Sequence, residues 1–316
     1  MRRRFYLAAT SVLLVWAALT VGVAQAAAPG VTVSKLTTFP GTAGPSSVAA
    51  TNPGDVTAIW GTNIVSVTPQ GDQRILGTYA PGAFGEAIGI AYGPDHQLYA
   101  ANPESLGPPA QGAIFQIFPD GKTATVPGSN GMIAPDGFGA DPATGYTYVT
   151  DIYGNAIWRI TPGGVAEPWT SIATNPLLAL PDGVKVFDGA VYTSIESGKI
   201  LRIPINRNGS AGTAAVWAQV PGPAFFDDMV LDDRTGDVYV SRLDTNQLLQ
   251  ITPRGSITPI ASNADGLLGA ANMALIHVGL DTVIYDANTN DDFLNTGATN
   301  TAGPAILKIT IPFWVQ

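Results

Sequence analysis

The sequence predicts an all-β protein, and three features of the chain support this. A unit that begins with Pro-Asp-Gly and ends with Thr-Pro-Gly recurs, in variant forms, along most of the length. Inside the unit, apolar and polar residues alternate with the period of two that is typical of β-strands. The 36 Gly and 25 Pro among 316 residues, with few Lys and Glu, favour strands joined by tight turns over helices.

The clearest copy of the unit is the segment 135–164, PDGFGADPATGYTYVTDIYGNAIWRITPGG. It contains two alternating strands, YTYVT and AIWRI, after a short apolar segment, which predicts a three-stranded antiparallel meander. Similar copies begin at Leu180 and Phe225, and the opening acids of the three copies lie 46 and 45 residues apart. The acids in the opening place are Asp136, Asp182 and Asp227.

Three weaker copies complete the pattern. The first covers residues 46–71, the second opens at Glu86 and ends at Gly121, and the sixth opens at Asn272 and ends with AILKITI. Ser47 lies near the opening place of the first copy. Long insertions, NPESLGPPAQG and NTNDDFLNTGATNTAGP, precede the last strands of the second and sixth copies.

Six copies of about 45 residues, each long enough for four strands, predict a six-bladed β-propeller. The segment from Val31 to Phe39, VTVSKLTTF, alternates but has no hairpin partner beside it. We expect this segment to supply the outer strand of the last blade and so close the ring without a bare sheet edge. Residues 31–316 then form a single propeller domain.

The N-terminus has the features of a secretory signal peptide. The basic cluster Arg2–Arg4 precedes an apolar run, Leu7–Val23, and the small-residue cleavage sequence Ala24-Gln25-Ala26 follows. We therefore expect residues 1–26 to be removed and the protein to be secreted, outside the cell or in the cell envelope. A membrane anchor is the alternative, although the run is at the short limit for a membrane span. Both the general and the twin-arginine export routes remain open.

The composition excludes several classes of partner and site. Loss of the three leader arginines leaves 12 of the 15 basic residues against 24 acidic ones, so nucleic acid is not an expected partner. The chain has no Cys, which excludes disulfides, zinc thiolates and a thiol nucleophile, so any metal must be bound by oxygen. We expect a monomer that acts on a small molecule and does not insert stably into a membrane after signal cleavage.

The predicted fold brings the opening residues together. In a propeller blade the first strand lines the central channel, so the starts of the six first strands should meet at one mouth of that channel. Their oxygen donors would repel one another unless a cation were present, and such hard donors suit Ca²⁺ best, with Mg²⁺ as an alternative. The predicted ring consists of Ser47, Glu86, Asp136, Asp182, Asp227 and Asn272.

The alternative is that these acids only form turns, because Asp in Pro-Asp-Gly accepts backbone N–H bonds locally. The segments DPATG, DDRTG and GPDHQ are predicted to be such turns, and Asp151 and Asp286 are predicted to be turn-forming as well. His96 is expected to be solvated, and His277 to be a core residue with satisfied hydrogen bonds. The sequence contains no Gly-x-Ser-x-Gly elbow and no plausible Ser/His/Asp set.

The repeated unit PDGFGADPATGYTYVTDIYGNAIWRITPGG and its sister copies resemble the SMP-30/gluconolactonase/LRE-like family of six-bladed propellers. NHL-repeat and strictosidine-synthase-like propellers are near relations, and the resemblance covers all six blades. It implies a divalent metal, usually Ca²⁺, held at the channel centre by one Glu, Asn residues and an Asp at inner-strand starts. It also implies the opening of lactones or the hydrolysis of esters.

Two ways of aligning the blades with that family remain open. Counted by chain order, the family's Glu falls near Ser47, whereas counted from Glu86 it falls one blade later. Neither alignment reproduces the family's Glu-Asn-Asn-Asp set. Asp182 and Asp227 belong to the implied ligand set under both alignments.

The resemblance therefore implies a metal-dependent hydrolase of the lactonase or esterase type, with Asp227 as the catalytic base. The expected metal ligands are Glu86, Asp182, Asp227 and Asn272. The expected substrate contacts are Asp136, Phe84, Met132 and Phe226, the apolar ones forming a wall around a polar floor. The alternative is a non-catalytic propeller, similar to NHL-type domains, that binds a ligand or a cell-surface partner through its rim.

Overall fold

The computed structural model describes residues 26–51, 54–78, 87–102, 112–172, 180–292, 294, 296–298 and 302–315. Within these ranges the chain forms 24 β-strands and short 3-10 helices. The strands make up six four-stranded antiparallel sheets, which we call blades. The prediction of an all-β fold is confirmed.

The blades follow one another along the chain. Blade 1 contains β2 (Ser47–Thr51), β3 (Asp55–Trp60), β4 (Asn63–Val67) and β5 (Gln73–Thr78). Blade 2 contains β6 (Gly89–Tyr92), β7 (Leu98–Asn102), β8 (Ala113–Ile117) and β9 (Thr123–Thr125). Blade 3 contains β10 (Pro135–Asp141), β11 (Tyr146–Asp151), β12 (Ala156–Ile160) and β13 (Ala166–Ser171).

The second half of the ring repeats this arrangement. Blade 4 contains β14 (Pro181–Phe187), β15 (Ala190–Ile195), β16 (Lys199–Pro204) and β17 (Ala215–Gln219). Blade 5 contains β18 (Phe226–Leu231), β19 (Val238–Arg242), β20 (Gln247–Ile251) and β21 (Ile257–Ser262). Blade 6 contains β22 (Ala270–Val278), β23 (Asp281–Asn288), β24 (Ala305–Ile311) and the N-terminal β1 (Thr32–Thr38). The 3-10 helices are Ser129–Gly131, Asn263–Asp265 and Phe313–Val315.

The six blades form a closed ring around a central channel. Each innermost strand contacts the innermost strands of both neighbouring blades: β2 contacts β6 and β22, β10 contacts β6 and β14, and β18 contacts β14 and β22. The later strands of each blade lie progressively farther from the axis, because each pairs with the strand before it. The prediction of a six-bladed propeller is confirmed.

The N-terminal strand closes the ring, as predicted. β1 pairs antiparallel with β24, and the strand order in blade 6 is β1-β24-β23-β22. In this register Thr32 lies opposite Thr310 and Thr38 lies opposite Ala305. The first strand of the chain therefore covers an edge of β24 that would otherwise stay unpaired.

The strands bury apolar residues on both faces, because each blade packs between two others. In β11, Tyr148 packs with Val184 and Val191 of blade 4, whereas the next residue, Val149, packs with Tyr99 of blade 2. Val149 is completely buried, and burial of such a side chain contributes about 1.5–3 kcal/mol. These layers between blades fix the positions of the inner strands, whose first residues form the site described below.

Some of the predicted features fall outside the described residues. These are the signal peptide up to residue 25, the insertion of blade 2 between residues 103 and 111, and the site candidates Phe84 and Glu86. In the part of the chain that the structure describes, no helix has the length and apolar character needed to span a membrane.

Candidate functional site at the channel mouth

The inner strands of blades 3, 4 and 5 begin with a β-bulge. In blade 3 the pairing with β11 shifts between Pro135 and Phe138, so two residues of the inner strand, Asp136 and Gly137, oppose one residue of its neighbour. The corresponding shift in blade 4 follows Pro181, and that in blade 5 follows Phe226. The bulged residues are the Asp-Gly or Asp-Asp of the repeated motif. The bulge therefore places each opening acid at the channel mouth, which is the end of the channel where the inner strands start.

The Gly of the motif is required because neighbouring inner strands pack closely. A Cβ atom added to Gly137 would lie 2.4 Å from the carbonyl oxygen of Asp182 in the next blade. A Cβ atom added to Gly183 would lie 2.4 Å from Oδ1 of Asp228. No real Cβ contact is that short, so these positions exclude any side chain unless the strands move apart.

Hydroxyl groups of the second strands bridge one bulge to the next blade. Ser194 Oγ accepts a hydrogen bond from Gly183 N at 2.8 Å and donates one to the carbonyl oxygen of Asp227 at 2.7 Å. Thr150 Oγ1 occupies the same place in blade 3, where it accepts from Gly137 N at 2.9 Å. These hydroxyls satisfy bulge amides that have no place in the sheet ladder. The sequence pattern does not show that these two hydroxyls bridge neighbouring blades.

Blades 5 and 6 replace the motif Gly with polar side chains that reach the next blade. Asp228 Oδ2 accepts hydrogen bonds from Asn272 Nδ2 at 2.9 Å and from Met273 N at 3.0 Å. Asn272 Oδ1 in turn accepts from Val48 N of blade 1 at 3.0 Å. In the strand register Asn272 therefore occupies the place of Asp228, one residue beyond Asp227. The predicted equivalence of Asn272 with the opening acids is off by one residue, and both ends of its amide bind protein groups.

Four aspartates form a carboxylate cluster at the mouth. Burial raises the pKa of Asp182 well above its ordinary value, and the charges of Asp227 and Asp136 add to this effect. Burial likewise raises the pKa of Asp136, and the charges of Asp227 and Asp228 raise it further. For Asp227, burial and then the charge of Asp228 raise the pKa to about 7. Hydrogen bonds with Asp182 and with the Asp228 amide act in the opposite direction and lower this pKa. Negative charge at this mouth is therefore unfavourable without a cation.

Glu196 belongs to the same cluster and was missed from the sequence. It lies in the turn after β15, where its amide donates to the carbonyl of Leu180 at 3.2 Å and its carbonyl accepts from Phe226 N at 3.3 Å. Burial and then the charge of Asp227 raise the pKa of Glu196 to about 8. Tyr153 lies in the turn after β11 of blade 3, and burial followed by the charge of Glu196 raises its pKa to about 12.

The chain is strained at Leu180, two residues before Asp182. Leu180 has a φ of 73°, in the left-handed region that costs a non-glycine residue roughly 1–3 kcal/mol. The conformation is held by Asn155, whose Oδ1 accepts from Leu180 N at 2.8 Å, and by the hydrogen bond from Glu196 N. Two turns from neighbouring blades thus fix the backbone from which the Asp182 side chain extends.

Asp286 is part of the site, and the prediction that it forms a turn is wrong. It lies inside β23, opposite Met273 and Leu307, and is completely buried. Neither of its carboxylate oxygens has a hydrogen-bond partner among the described residues. Burial, followed by the charges of Asp227 and Asp228, raises the pKa of Asp286 to about 8. The sequence IYDA does not distinguish an acid inside a strand from one in the turn after it.

Several buried oxygen atoms near the mouth lack hydrogen-bond partners within the described ranges. They are Ser47 Oγ, Asp182 Oδ1, Asp228 Oδ1 and both carboxylate oxygens of Asp286. Lys185 Nζ lies 3.5 Å from Asp228 Oδ1 and donates to the carbonyl of Phe138 at 3.0 Å, so it neutralises part of the charge. Native proteins rarely leave buried polar atoms unsatisfied. Orphaned hard oxygen donors are the kind of atoms that a divalent cation such as Ca²⁺ binds, so the residues present fit such an ion.

The remaining predicted site residues lie elsewhere. Met132 is 1% exposed and packs in the core between blades 2 and 3, and Phe226 is completely buried between blades 4 and 5. Both are held by neighbouring blades and line no open surface. Asp151 forms a turn as predicted, because its carboxylate accepts from three backbone amides, those of residues 133, 134 and 154. His96 is exposed, in line with its predicted solvation.

A second acidic group lies at the other end of the channel. Among the described residues, Asp232, Asp233 and His277 offer three candidate ligand atoms that all lie within 4.8 Å of one another. His277 Nε2 is 2.8 Å from Asp233 Oδ1 and 3.6 Å from Asp232 Oδ1. His277 is therefore a hydrogen-bond partner of Asp233 near the surface and not the satisfied core residue that the sequence indicated. No set of three carboxylates at the mouth is as closely grouped within the described ranges.

Comparison with known proteins identifies the fold through structure alone. No sequence profile of a known protein family matches the chain, and no curated protein is detectably similar in sequence. A gluconolactonase from Xanthomonas campestris superimposes with a TM-score of 0.65 at 16% identity, over 91% of this chain and 92% of that one. The chain has the propeller fold of these enzymes. A luciferin-regenerating enzyme matches with a TM-score of 0.63 at 12% identity, over 90% and 98% of the two chains.

The same fold also occurs in a binding protein. An auxiliary nutrient binding protein from Bacteroides ovatus matches with a TM-score of 0.62 at 12% identity, over 88% of this chain and 76% of that one. The resemblance that the repeats indicated is thus matched by the structural neighbours, which are gluconolactonase-like six-bladed propellers. Because a fold hosts many functions, the function must be argued from the channel mouth.

Proposed function

We propose that this protein is an exported, divalent-metal-dependent hydrolase that opens lactones or cleaves esters at the channel mouth. The observation that carries the proposal is the buried carboxylate cluster with orphaned oxygen atoms. A purely structural cluster would have its oxygens satisfied by backbone amides or by cationic side chains. Perturbed carboxyl groups gathered in one concave place are typical of functional sites.

Asp182 and Asp227 are the residues that would hold the cation, with Asp228 and Asp286 as further oxygen donors. Among the described residues, Asp182 and Asp228 each have one oxygen without a hydrogen-bond partner, and Asp286 has two. When bound, a divalent cation would supply charge neutralisation and polarisation of a substrate carbonyl. Glu86 lies outside the described residues and stays a proposed ligand on the family resemblance. Asn272 supports the site indirectly, because its amide holds Asp228 and the first strand of blade 1.

Asp227 is the residue best suited to remove a proton from water or substrate. It is 9% exposed, and without a cation burial and the charge of Asp228 raise its pKa to about 7. A bound cation would favour its ionised form, which is the form that accepts a proton. A general base works best when its pKa lies near the working pH. Asp136 lies at the start of the inner strand of blade 3, two blades away from Asp227. It is proposed to bind the polar part of the substrate. Phe84 lies outside the described residues and stays a proposed substrate contact.

The decisive experiment is an activity screen of the purified mature chain. A panel of lactones and carboxylic esters should be assayed with Ca²⁺, with Mg²⁺ and with excess chelator. We expect turnover of at least one substrate class with Ca²⁺ and loss of that turnover in chelator. Thermal unfolding should be followed in the same buffers, because an ion present at 100 times its dissociation constant stabilises the folded state by about 2.7 kcal/mol. An unchanged melting curve in chelator would count against the metal site.

A non-catalytic binding function is the second candidate. It is favoured by the spacing of the mouth acids, because within the described ranges no three of them are as close together as Asp232, Asp233 and His277. It also agrees with the presence of a nutrient binding protein among the structural neighbours. Inactivity on the whole panel, combined with a ligand-dependent rise in melting temperature, would favour this candidate over the hydrolase.

A further inference from the structure

The segment that follows the predicted signal-cleavage sequence is docked on the propeller. Ala27 N donates a hydrogen bond to Asp265 Oδ1 at 3.0 Å, and Ala28 N donates to the carbonyl of Ile260 at 3.0 Å. Asp265 belongs to the 3-10 helix after β21, the outer strand of blade 5. The preceding residue, Ala26, is exposed. The bond that the sequence predicts to be cut therefore lies immediately outside a fixed segment.

Both ends of the chain meet at this place. Val31 is 7% exposed and lies in the core cluster between blades 5 and 6, and Val31 N donates to the carbonyl of Ala28 at 2.9 Å. Gly30 packs under the indole of Trp314, because a Cβ atom added there would lie 2.3 Å from the ring. Residues 27–31 therefore connect blade 5, the closing strand β1 and the C-terminal turn.

We infer that cleavage after Ala26 creates an ion pair between the new α-ammonium group of Ala27 and the carboxylate of Asp265, and that this pair locks the ring closed. In the uncut chain Ala27 N is a neutral peptide N–H. After cleavage the same nitrogen, at the same place, carries a positive charge. Hydrogen bonds with two charged partners are roughly twice as strong as neutral ones.

The charged form of this contact belongs to the processed chain alone. A peptidase must bind the residues on both sides of the bond that it cuts, so Ala27 N is not held by Asp265 during cleavage. The neutral contact is already present in the uncut chain, and cleavage gives the same contact its charge. The inference rests on the predicted cleavage position and not on the proposed catalytic function.

Asp265 has a second contact that must be separated from the ion pair. Its Oδ2 accepts from Ser262 N at 3.0 Å and so caps the 3-10 helix. A substitution at Asp265 alone would lose both contacts. The contribution of the ion pair must therefore be measured as the difference in stability between chains with a charged and a neutral N-terminus. The residue at position 265 is the same within each comparison.

The test is a thermal-unfolding cycle on the full propeller. The mature chain beginning at Ala27, the same chain α-acetylated, and a chain extended by Gln25 and Ala26 are each prepared with Asp265 and with Asp265→Asn. With Asp265 we expect the mature chain to melt about 2–4 °C above the acetylated and extended chains. With Asp265→Asn the three should melt together. Equal differences in both backgrounds, or no difference in either, would overturn the ion pair.

The cleavage position is tested separately by determining the first residue of the exported protein. Ala27 is the expected first residue, and a mature chain that begins anywhere else, or that keeps its leader, would overturn the inference. Activity assays do not enter either measurement, so a failure of the proposed hydrolase function would leave this result unaffected.

Discussion

The two ends of the channel both carry acids but use them differently. At the opposite rim, formed by the turns between first and second strands, Asp95, Asp141 and Asp232 each accept a hydrogen bond from the backbone amide two residues ahead, at 3.1, 3.1 and 2.8 Å. These are the turns predicted from GPDHQ, DPATG and DDRTG. At the mouth, by contrast, Asp182, Asp228 and Asp286 retain oxygen atoms without partners in the described part of the chain.

The difference follows from local backbone geometry. In a tight turn the chain folds back and presents its own amides to the Asp side chain. In the bulges of blades 3 and 4, the amides of Gly137 and Gly183 are taken by hydroxyl groups, so these amides are not available to the carboxylates. An Asp at the opposite rim therefore stabilises the turn that it occupies. An Asp at the mouth lowers the free energy of unfolding, and a bound ligand can offset that loss. The predictions below test that contrast.

The largest expected effect is on activity. If the protein is a hydrolase, Asp227→Asn should lose at least about a hundredfold in turnover. Its melting temperature in chelator should not fall, because the change removes a charge from a repulsive cluster. The matched variant Asp232→Asn should keep its turnover but melt lower, because Asp232 accepts from Arg234 N at 2.8 Å and from the hydroxyl of Thr282. Full turnover in Asp227→Asn would show that another residue, first Asp182 or Asp136, is the base.

A medium effect is expected from the hydroxyl bridge. Ser194→Ala should lower the free energy of unfolding by about 1–3 kcal/mol, because it leaves Gly183 N buried without an acceptor. Ser256 is exposed on an outer turn, and Ser256→Ala should change stability by less than about 0.5 kcal/mol. Urea unfolding of the two variants measures the difference. Equal stabilities would mean that the bulges do not depend on this hydroxyl.

A smaller effect is expected from pH. Burial raises the pKa values of Glu196 and Asp286 to about 8, whereas unfolded carboxyl groups titrate near pH 4. Between these values the folded chain holds protons that the unfolded chain releases, so the free energy of unfolding should fall as pH rises. Each group contributes a slope of at most about 1.4 kcal/mol per pH unit, and partly exposed Glu196 contributes less. In chelator the protein should therefore melt higher at pH 6 than at pH 8.

The cause of that slope can be checked by substitution and by metal. Asp286→Asn removes one of the two groups and should flatten the dependence. Saturating Ca²⁺ should flatten it as well, because a bound cation favours the ionised carboxylates. A melting temperature that rises from pH 6 to pH 8 in chelator would contradict the described electrostatics of the mouth.

The sequence was sufficient to predict the architecture because the fold is encoded by repetition. The period of the Pro-Asp-Gly units indicates the number of blades, and the unpaired strand after the predicted signal peptide indicates how the ring closes. The acids Asp136, Asp182 and Asp227 could be placed at one mouth because a repeated unit puts equivalent residues at equivalent heights.

The site was harder to predict because its details depend on ring closure and on bulges. A bulge adds a residue to the inner strand, and the sixth copy lacks the Pro-Asp-Gly that marks its position, so the sequence aligns Asn272 one residue away from its structural place. Glu196 and Tyr153 lie in turns that have no strand pattern. Glu196 approaches Asp227, and Tyr153 approaches Glu196 and Asp182, only when the blades pack together. Met132 and Phe226 are buried, although the sequence predicts them in the apolar wall of the site, because composition does not distinguish a buried side chain from one lining a cleft.

The measurement that tests the central claim most directly is calorimetric titration of the chelator-treated protein with Ca²⁺. The account predicts saturable binding in the wild type, loss of that binding in Asp182→Asn and in Asp227→Asn, and unchanged binding in Asp232→Asn. Binding that survives both mouth substitutions and disappears in Asp232→Asn would place the ion at the opposite rim. That result, or the absence of any binding to the wild type, would contradict the assignment of the channel mouth as a metal-dependent site.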